Sequence, residues 1–357
     1  MEEINLNYKL SDSIPVFSSK FKSSVNNILV IRPGALGDVI VTLPTLEAIR
    51  NHFRNAHIEV MGYSSILEIL KGRFYADTIG RFDQADISHL FVENSSIPAS
   101  LTKKLKGVDL IVSFLTDKEK VMVENLRAAG VRYVIHYDPF PSEGENVHII
   151  DHLLKCLDLL GIPHSNKIPK IFLKDEDVLY GKNFVKNRIV VSGKKLVAVH
   201  PGSGSRQKCW TTNRYAELIM WLNEEIGVQV LLISGPADRE VIEDLRGKIK
   251  DNFVLADQLP LPYLAAILKQ CNLFVGNDSG ITHMAAAVGI PTIAIFGPTD
   301  PQIWGPSGKR GRILYQKSPC SPCSSDIRRN CISQTCLENI TAEAVIEEIR
   351  DFYQHNL

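Results

Sequence analysis

A carboxylate follows two glycines near the start of the chain, where an apolar run gives way to a helical pattern. Asn27–Ile31 is apolar and β-branched, Gly34 and Gly37 follow it, and Asp38 opens the next segment. The corner after a strand of an open α/β sheet is where ligand-binding groups are presented. An ionised Asp held there could take a proton from a hydroxyl nucleophile, or it could only cap the helix. Spacing alone favours the cap.

The loop before this carboxylate suits a substrate better than it suits a phosphate. It consists of Gly34, Ala35, Leu36 and Gly37, and its glycines allow a substrate to approach the backbone closely. A carboxylate at the helix start would repel a diphosphate and occupy the exposed N–H groups itself. We therefore expect this loop to line the acceptor side of a cleft.

A second segment, Val199–Trp210 (VHPGSGSRQKCW), has the composition of an anion-binding loop. Ser203 and Ser205 offer hydroxyl donors, the glycines expose backbone N–H groups, and Lys208 adds a mobile point charge. The alternative is a polar loop with solvated cations. On its own, this segment does not decide between the two.

A third segment, Gly276–His283 (GNDSGITH), again ends an apolar run at a helix start. Ser279 and Gly280 would begin a helix whose N–H groups face the cleft, which is a favourable seat for a phosphate. Asp278 could cap that helix or accept hydrogen bonds from sugar hydroxyls. His283, one turn further, could donate to phosphate oxygens, although a lone histidine on a helix is more often structural.

A fourth segment, Leu232–Glu240 (LISGPADRE), places Asp238 shortly after another apolar run. An acid after a strand in this topology often meets ribose hydroxyls. The alternative, an acidic helix N-terminus, is at least as consistent with the pattern.

Strand-like and helix-like segments alternate along both halves of the chain, which predicts two mostly parallel sheets. The strands we expect are Asn27–Ile31, His57–Met61, Val108–Phe114, Val131–Tyr137, Leu196–His200, Val228–Ser234, Asn252–Ala256, Leu273–Gly276 and Pro291–Phe296. The helices we expect include Val39–His52, His148–Leu160, Asn213–Ile226, Asp238–Ile249 and Pro262–Cys271. The fold class is therefore α/β, with two doubly wound, Rossmann-like domains facing a central cleft.

The same pattern predicts the domain boundaries. We expect a flexible leader at residues 1–26, a first domain at 27–162, a second at 170–340 and a final helix at 341–357, with Gly161–Pro169 as the linker. Thr341 is placed to cap the final helix. The leader begins acidic and lacks a continuous apolar core, unlike a signal peptide.

Composition is that of an ordinary globular protein of 357 residues, with 45% apolar and 22% charged residues. Lys plus Arg and Asp plus Glu balance at 40 each, which gives no indication of a nucleic-acid partner. No run of 18 or more apolar residues occurs, so we expect no transmembrane segment. We expect a cytoplasmic protein.

Four of the seven cysteines lie close together near the end of the chain. Cys320, Cys323, Cys331 and Cys336 form C-x2-C-x7-C-x4-C, a set that could enclose one structural zinc or iron ion. The spacing is tighter than in common zinc ribbons. Reduced thiols on a loop are the favoured alternative.

Taken together and in this order, the motifs resemble glycosyltransferase family 9, the ADP-heptose:lipopolysaccharide heptosyltransferases of the GT-B fold. The matching stretches are IRPGALGDVIVTLPTLEAI, HPGSGSRQKCW and GNDSGITHMAAAVGIPTIAIFGPTDP, followed by Trp304 and Pro306. The resemblance extends from Asn27 to the C-terminus, although the segment before Asn27 is longer than the family usually shows.

The resemblance implies an inverting transferase in which Asp38 is the general base. The base would deprotonate a sugar hydroxyl of the lipopolysaccharide inner core, which then attacks the anomeric carbon of ADP-L-glycero-β-D-manno-heptose. Ser203 and Lys208 would hold the diphosphate, with Ser279, Gly280 and His283 around it. The remaining donor residues that it implies are Asp278 for the heptose, Asp238 for the ribose and Leu259 for the adenine.

The resemblance also implies that no cofactor is required and that the acceptor lies at a membrane surface, the enzyme being peripheral to the inner face of the inner membrane. Basic residues that could contact the acceptor are Arg32, Lys71, Arg73 and Lys118. Three alternatives stay open: a GT-B transferase using another nucleotide sugar, one using a non-lipopolysaccharide acceptor such as a protein or other glycan, and a degenerate binding module. A dehydrogenase is disfavoured because neither glycine-rich corner reads GxGxxG.

Overall fold

The computed structural model describes residues 19–93, 95–117, 120–142, 144–188, 194–249 and 253–356. Its strands are β1 Asn27–Ile31, β2 His57–Gly62, β3 Thr78–Arg81, β4 Leu110–Ser113, β5 Tyr133–His136, β6 Leu196–His200, β7 Gln229–Ser234, β8 Phe253–Asp257, β9 Leu273–Asn277, β10 Thr292–Phe296 and β11 Gly311–Tyr315. Its helices are α1 Ser19–Ser24, α2 Leu36–His52, α3 Ser64–Leu67, α4 Ala85–Ser88, α5 Ala99–Lys106, α6 Val121–Ala128, α7 Ile149–Leu154, α8 Asp175–Arg188, α9 Thr212–Glu224, α10 Arg239–Lys248, α11 Leu261–Leu268, α12 Gly280–Ala287, α13 Pro301–Trp304, α14 Ser325–Arg329, α15 Thr335–Glu338 and α16 Ala342–Asn356. Residues 1–18 of the predicted leader and the candidate Lys118 lie outside the described residues.

The strands form two separate sheets, and every pairing within them is parallel. The first has the order β3-β2-β1-β4-β5 and the second the order β11-β10-β9-β6-β7-β8. We call each sheet with its helices a lobe. The strand order reverses direction between β1 and β4 in the first lobe and between β6 and β9 in the second, and ligands bind at such switch points. The predicted parallel α/β architecture is confirmed.

Central strands are apolar on both faces because helices cover both sides of each sheet. In β1 the side chains of residues 28–31 are almost fully buried, and β6, β7, β9 and β10 are buried along their whole length. One apolar cluster extends from beneath the first sheet through α2 and α7 to α11 and α12 of the second lobe. The two lobes therefore share a continuous core on one side of the cleft.

The first and last helices of the second half pack against other helices of the second lobe. After an irregular stretch that includes the predicted linker, α8 begins at Asp175 and packs against α11. The final helix, α16, packs against α9, and its Val345, Ile346 and Ile349 are buried in the second lobe's core. Helix α16 is thus part of the packing of the second lobe.

Some elements differ from the sequence-based expectations. The prediction of a single helix at His148–Leu160 was wrong, because the structure has α7 followed by a 3-10 helix at Lys155–Leu160. Strands β3 and β11 and helix α8 were not foreseen. The predicted start of one strand at Asn252 lies outside the described residues, and β8 begins at Phe253.

Candidate active site

Asp38 occupies the third position of α2, directly beyond the end of β1. Its Oδ2 accepts a hydrogen bond from the backbone N–H of Ala35 at 2.8 Å, which closes the start of the helix. A Cβ added to Gly34 would come within 2.6 Å of the Asp38 Cβ, so this corner needs a glycine. The capping role is therefore present, while the side chain stays 27% exposed and open to a ligand.

Arg32 is the partner of Asp38 inside the first lobe. The guanidinium is 3% exposed, and its Nη2 lies 3.6 Å from the Asp38 Oδ1. Its Nε donates to the hydroxyl of Thr42 at 3.0 Å, and that hydroxyl donates to the Asp38 carbonyl. Burial lowers the pKa of Arg32, and the charge of Asp38 opposes that shift. The sequence suggested an acceptor contact for Arg32, but this burial makes it a support for Asp38.

Lys208 and Asp278 meet at the carboxyl end of the second sheet. The Lys208 Nζ lies 2.7 Å from the Asp278 Oδ2, and the Thr299 hydroxyl donates to the same oxygen at 2.6 Å. Asp278 is buried, while the lysine is 23% exposed. The Ser203 hydroxyl donates to the Asp278 carbonyl at 2.7 Å. The segments that carry Ser203 and Asp278 therefore form one polar wall.

Asn277, which the sequence analysis did not single out, holds the Ser203–Lys208 loop against β9. Its Oδ1 accepts from the Trp210 backbone and from the Tyr215 hydroxyl, at 3.0 and 2.9 Å. Its Nδ2 donates to the carbonyls of Pro201 and Gly202, at 2.8 and 3.2 Å. The side chain is fully buried. A buried amide with all these bonds satisfied is well suited to fix a loop in one conformation.

Asp238 is buried and pairs with His200, another residue that sequence reasoning missed. Its Oδ2 accepts from the His200 Nε2 at 3.0 Å and from the Gly235 backbone at 2.7 Å. Burial favours a higher pKa for Asp238, but His200 and the Gly235 amide lower the pKa overall. The carboxylate is thus committed to protein partners, beside the end of β7.

Helix α12 begins at the cleft, and the N-cap position is Ser279. The serine hydroxyl accepts from the Thr282 backbone at 3.3 Å. A Cβ added to Gly280 would approach the Gly37 nitrogen and the Leu36 Cβ to 2.8 Å each. The starts of α2 and α12 therefore touch, and they bring the two glycine-rich corners of the sequence together.

His283 is buried on α12 beside the start of α2, where a Cβ added to Gly37 would lie 3.7 Å from its Cδ2. Burial lowers the pKa of His283 to about 4. The negative charges of Asp278 and Asp38 oppose this shift, whereas His148 and Lys208 lower the pKa further. We call the region where these side chains meet the starts of α2 and α12 the crevice. At neutral pH the ring is uncharged and can donate one hydrogen bond.

Two further contacts join the first lobe to the second half of the chain. The His148 Nε2 donates to the carbonyl of Gly305 at 3.0 Å. The Arg73 Nη2 lies 2.5 Å from the Asp177 Oδ2, and both side chains are buried. Arg73, a candidate for acceptor binding, is therefore placed in a contact between the first lobe and α8.

Three other predicted residues lie in different parts of the two lobes. Ser205 precedes a 3-10 helix at Arg206–Lys208, and its hydroxyl donates to Gln207. Leu259 is half-buried between β8 and α11. Lys71 is exposed and lies beside Glu68, away from the contact between α2 and α12.

Comparison with known proteins decides the family. The sequence profile of glycosyltransferase family 9 (heptosyltransferase) matches residues 136–332. The chain belongs to glycosyltransferase family 9. It is 25% identical to lipooligosaccharide heptosyltransferase 2 of Campylobacter jejuni over 90% of this chain and 98% of that protein.

Solved structures agree on the fold of this family 9 chain. The family 9 glycosyltransferase of Veillonella parvula superposes with a TM-score of 0.73 at 21% identity, over 90% of this chain and 95% of that one. Escherichia coli ADP-heptose lps heptosyltransferase II superposes with a TM-score of 0.72 at 18% identity, over 91% and 98%. The fold is GT-B, and the chain is a glycosyltransferase of the heptosyltransferase type, as the resemblance implied.

The four cysteines of this family 9 chain lie close enough together for their thiols to affect one another. Cys320 is exposed, whereas Cys336 is buried in the second lobe's core. Partial burial and the neighbouring thiols raise the pKa of Cys323 to about 11. Among the described residues, no three His, Cys, Asp or Glu side chains are arranged to hold a metal ion.

Proposed function

We propose that this family 9 enzyme transfers a heptosyl group from ADP-heptose to a sugar hydroxyl of the lipopolysaccharide inner core, with inversion at the anomeric carbon. The observation that carries the proposal is the shared crevice. Asp38 of the first lobe and the Lys208–Asp278 pair of the second both belong to it, and both acids act on the pKa of His283.

The reaction follows from this arrangement. Asp38 accepts the proton of the acceptor hydroxyl as the oxygen forms its bond to the anomeric carbon. The bond from that carbon to the phosphate oxygen breaks on the opposite face, and ADP departs with the bonding electrons. The two lobes hold both substrates in line, which replaces a bimolecular encounter by an oriented one.

The donor side must stabilise the departing diphosphate. Lys208 is the mobile cation there, and in the ligand-free protein its charge is balanced by Asp278. When the donor is bound, the ammonium turns to the phosphates and Asp278 accepts hydrogen bonds from the heptose. The hydroxyls of Ser203 and Ser205 and the start of α12 add further donors.

The nucleoside then extends along the carboxyl edge of the second sheet, towards β7 and β8. Leu259 would pack against the adenine. We assign Asp238 to the ribose end of this path, where its hydrogen bonds with His200 and Gly235 hold the carboxylate in place. In this assignment the acid shapes the pocket wall.

The proposed transfer needs no metal cofactor, because Lys208 and the N-terminus of α12 supply positive charge where the diphosphate leaves. We assign the four cysteines as reduced thiols, as is usual for cysteines in a cytoplasmic protein.

We further propose that the enzyme works from the cytoplasmic side of the inner membrane, where it would meet a lipid-linked acceptor at the surface. Within the described ranges, no helix is both long and apolar enough to cross a bilayer. In this proposal the enzyme meets the membrane surface through its lipid-linked acceptor.

Calorimetric titration with ADP-heptose, UDP-sugars and GDP-sugars tests the donor. We expect binding of ADP-heptose and ADP and much weaker binding of the uridine and guanosine compounds. Mass spectrometry with truncated lipid A–Kdo acceptors should then show one added heptose. Binding of a uridine nucleotide alone would contradict the donor, and heptose transfer only to a protein or another glycan would contradict the acceptor.

A further inference from the structure

We propose that His200 is a positioning residue for donor phosphate binding, linking Asp238 to the cap of α12 through one buried chain of hydrogen bonds. The inference rests on the proposed donor site and adds a residue to it. His200 is the last residue of β6, and Ser279 and Asp238 follow the neighbouring strands β9 and β7.

Both ring nitrogens of His200 have a buried partner. The Nε2 lies 3.0 Å from the Asp238 Oδ2, and the Nδ1 lies 3.3 Å from the Ser279 Oγ. His200 is 3% exposed, Asp238 5% and Ser279 8%, so water does not compete for these bonds. The chain runs from the end of one strand to the start of α12.

The direction of each bond follows from the acid. The low pKa of Asp238 keeps it ionised, and a carboxylate only accepts, so the His200 Nε2 carries the proton. With one ring proton on Nε2, the Nδ1 can accept the hydroxyl proton of Ser279. The Thr282 Oγ1, 3.1 Å from the serine and donating its own proton to the Asn277 carbonyl, can accept the same proton. The serine oxygen still accepts from the Thr282 N–H, so His200 acts on the residue that caps α12.

Steric contact ties the Ser203–Lys208 loop to the same chain. A Cβ on Gly202 would lie 1.9 Å from the Asp238 Oδ1, so the loop backbone packs directly on this carboxylate. Asp238 is thereby held on three sides, by Gly202, Gly235 and His200. The chain connects the two segments proposed to bind the diphosphate and orients both before the donor arrives.

The test compares binding of ADP and of adenosine by calorimetry. In His200→Phe, which keeps a ring but no polar atoms, we expect ADP to bind about tenfold more weakly, the loss that one unsatisfied buried hydrogen-bonding group causes. Adenosine, which lacks phosphates but meets Asp238 through its ribose, should lose clearly less affinity than ADP does. His164→Gln is the matched control, since His164 pairs with Asp158 on the surface at 3.1 Å.

Epistasis separates positioning from general damage. Because part of the His200 effect passes through Ser279, the double variant His200→Phe/Ser279→Ala should lose less ADP affinity than the sum of the two single losses. Additive losses would overturn the proposal, as would equal losses for ADP and adenosine or no loss in His200→Phe.

A second pair of variants covers a folding failure of His200→Phe. Asparagine can offer an oxygen near the Nδ1 position, whereas glutamine reaches towards Asp238. His200→Asn should retain tighter ADP binding than His200→Gln, and the reverse order would overturn the proposal. If the wild-type protein itself binds no ADP, the donor assignment fails instead.

Discussion

Asp38 combines two tasks that the sequence presented as alternatives. One oxygen closes the start of α2 through the Ala35 N–H, and the other faces Arg32 at 3.6 Å. The hydrogen bond fixes one oxygen of the carboxylate, and the nearby charge of Arg32 favours this orientation. A base that is already oriented needs no rearrangement when the acceptor hydroxyl arrives.

The charge state of the crevice depends on His283 as well as on the acids. Because burial lowers its pKa to about 4, the imidazole adds no positive charge at neutral pH. The charge needed by a departing diphosphate therefore falls to Lys208.

The lowered pKa of His283 predicts how the free energy of unfolding changes with pH. Between about pH 6.5 and pH 4 the unfolded chain binds a proton at this residue and the folded chain does not, so the free energy of unfolding falls as the pH falls. From pH 7 to pH 4.5, wild type should lose about 2 kcal/mol more than His283→Asn does. Urea unfolding across this range measures the difference.

His57→Asn is the control for that series, because His57 is half exposed on β2. His283→Asn should depart from the wild-type pH profile more than His57→Asn does. Parallel profiles for wild type and His283→Asn would contradict the assignment of a low pKa to His283.

At the scale of elements, the contact between α2 and α12 brings the acceptor corner to the donor corner. The contact depends on one glycine more than on the other. A Cβ on Gly280 would be 2.8 Å from the backbone nitrogen of Gly37, whereas a Cβ on Gly37 would be 3.6 Å from its nearest neighbour, the Gly280 Cα.

This asymmetry predicts different outcomes for two similar substitutions. Gly280→Ala should lower the free energy of unfolding by about 1–3 kcal/mol and reduce transfer, because a backbone atom must move. Gly37→Ala should be neutral or stabilising, as alanine is a better helix former. Urea unfolding of both variants provides the measurement, and equal losses would contradict the proposed contact.

The elements themselves divide into those the sequence predicts and those it does not. The buried central strands β1, β6 and β9 have continuous apolar runs, and each lies where the pattern predicted it. Strands β3 and β11 lie at sheet edges, where TIGR and GRILY are half exposed and carry no such run. A short edge strand is defined by its neighbour more than by its own residues.

The candidate site shows the same division. Asp38, Lys208 and Asp278 stand in recognisable motifs after strands, so their types and spacing indicated them. Asn277 and His200 act through partners that lie between 38 and 79 residues away along the chain. Contacts at that separation are created by the fold and leave no local pattern.

At the scale of the whole molecule, the two lobes meet at the crevice, and the first lobe also contacts α8. Arg73 of the first lobe and Asp177 of α8 form a buried ion pair, and Asp177 also accepts from the Lys174 backbone at 2.9 Å. A buried pair that loses one partner leaves an uncompensated charge. This contact therefore helps to fix the relative position of the lobes, on which the alignment of Asp38 with the donor depends.

Asp38 is the residue on which the proposed reaction depends, because it accepts the proton of the acceptor hydroxyl that attacks the bound ADP-sugar. In Asp38→Asn the amide oxygen can still accept from Ala35, so the fold and the donor site should remain. The matched control is Asp109→Asn, since Asp109 accepts from the Asn26 and Asn27 backbone at the far end of β1.

The most direct measurement is the rate of heptose transfer in Asp38→Asn together with its affinity for ADP. We expect transfer to fall by a factor of about 100 or more, the usual contribution of a general base, while ADP binds within about twofold of wild type. Asp109→Asn should keep both values. Transfer by Asp38→Asn at close to the wild-type rate, or a loss of ADP binding as large as the loss of rate, would contradict the account.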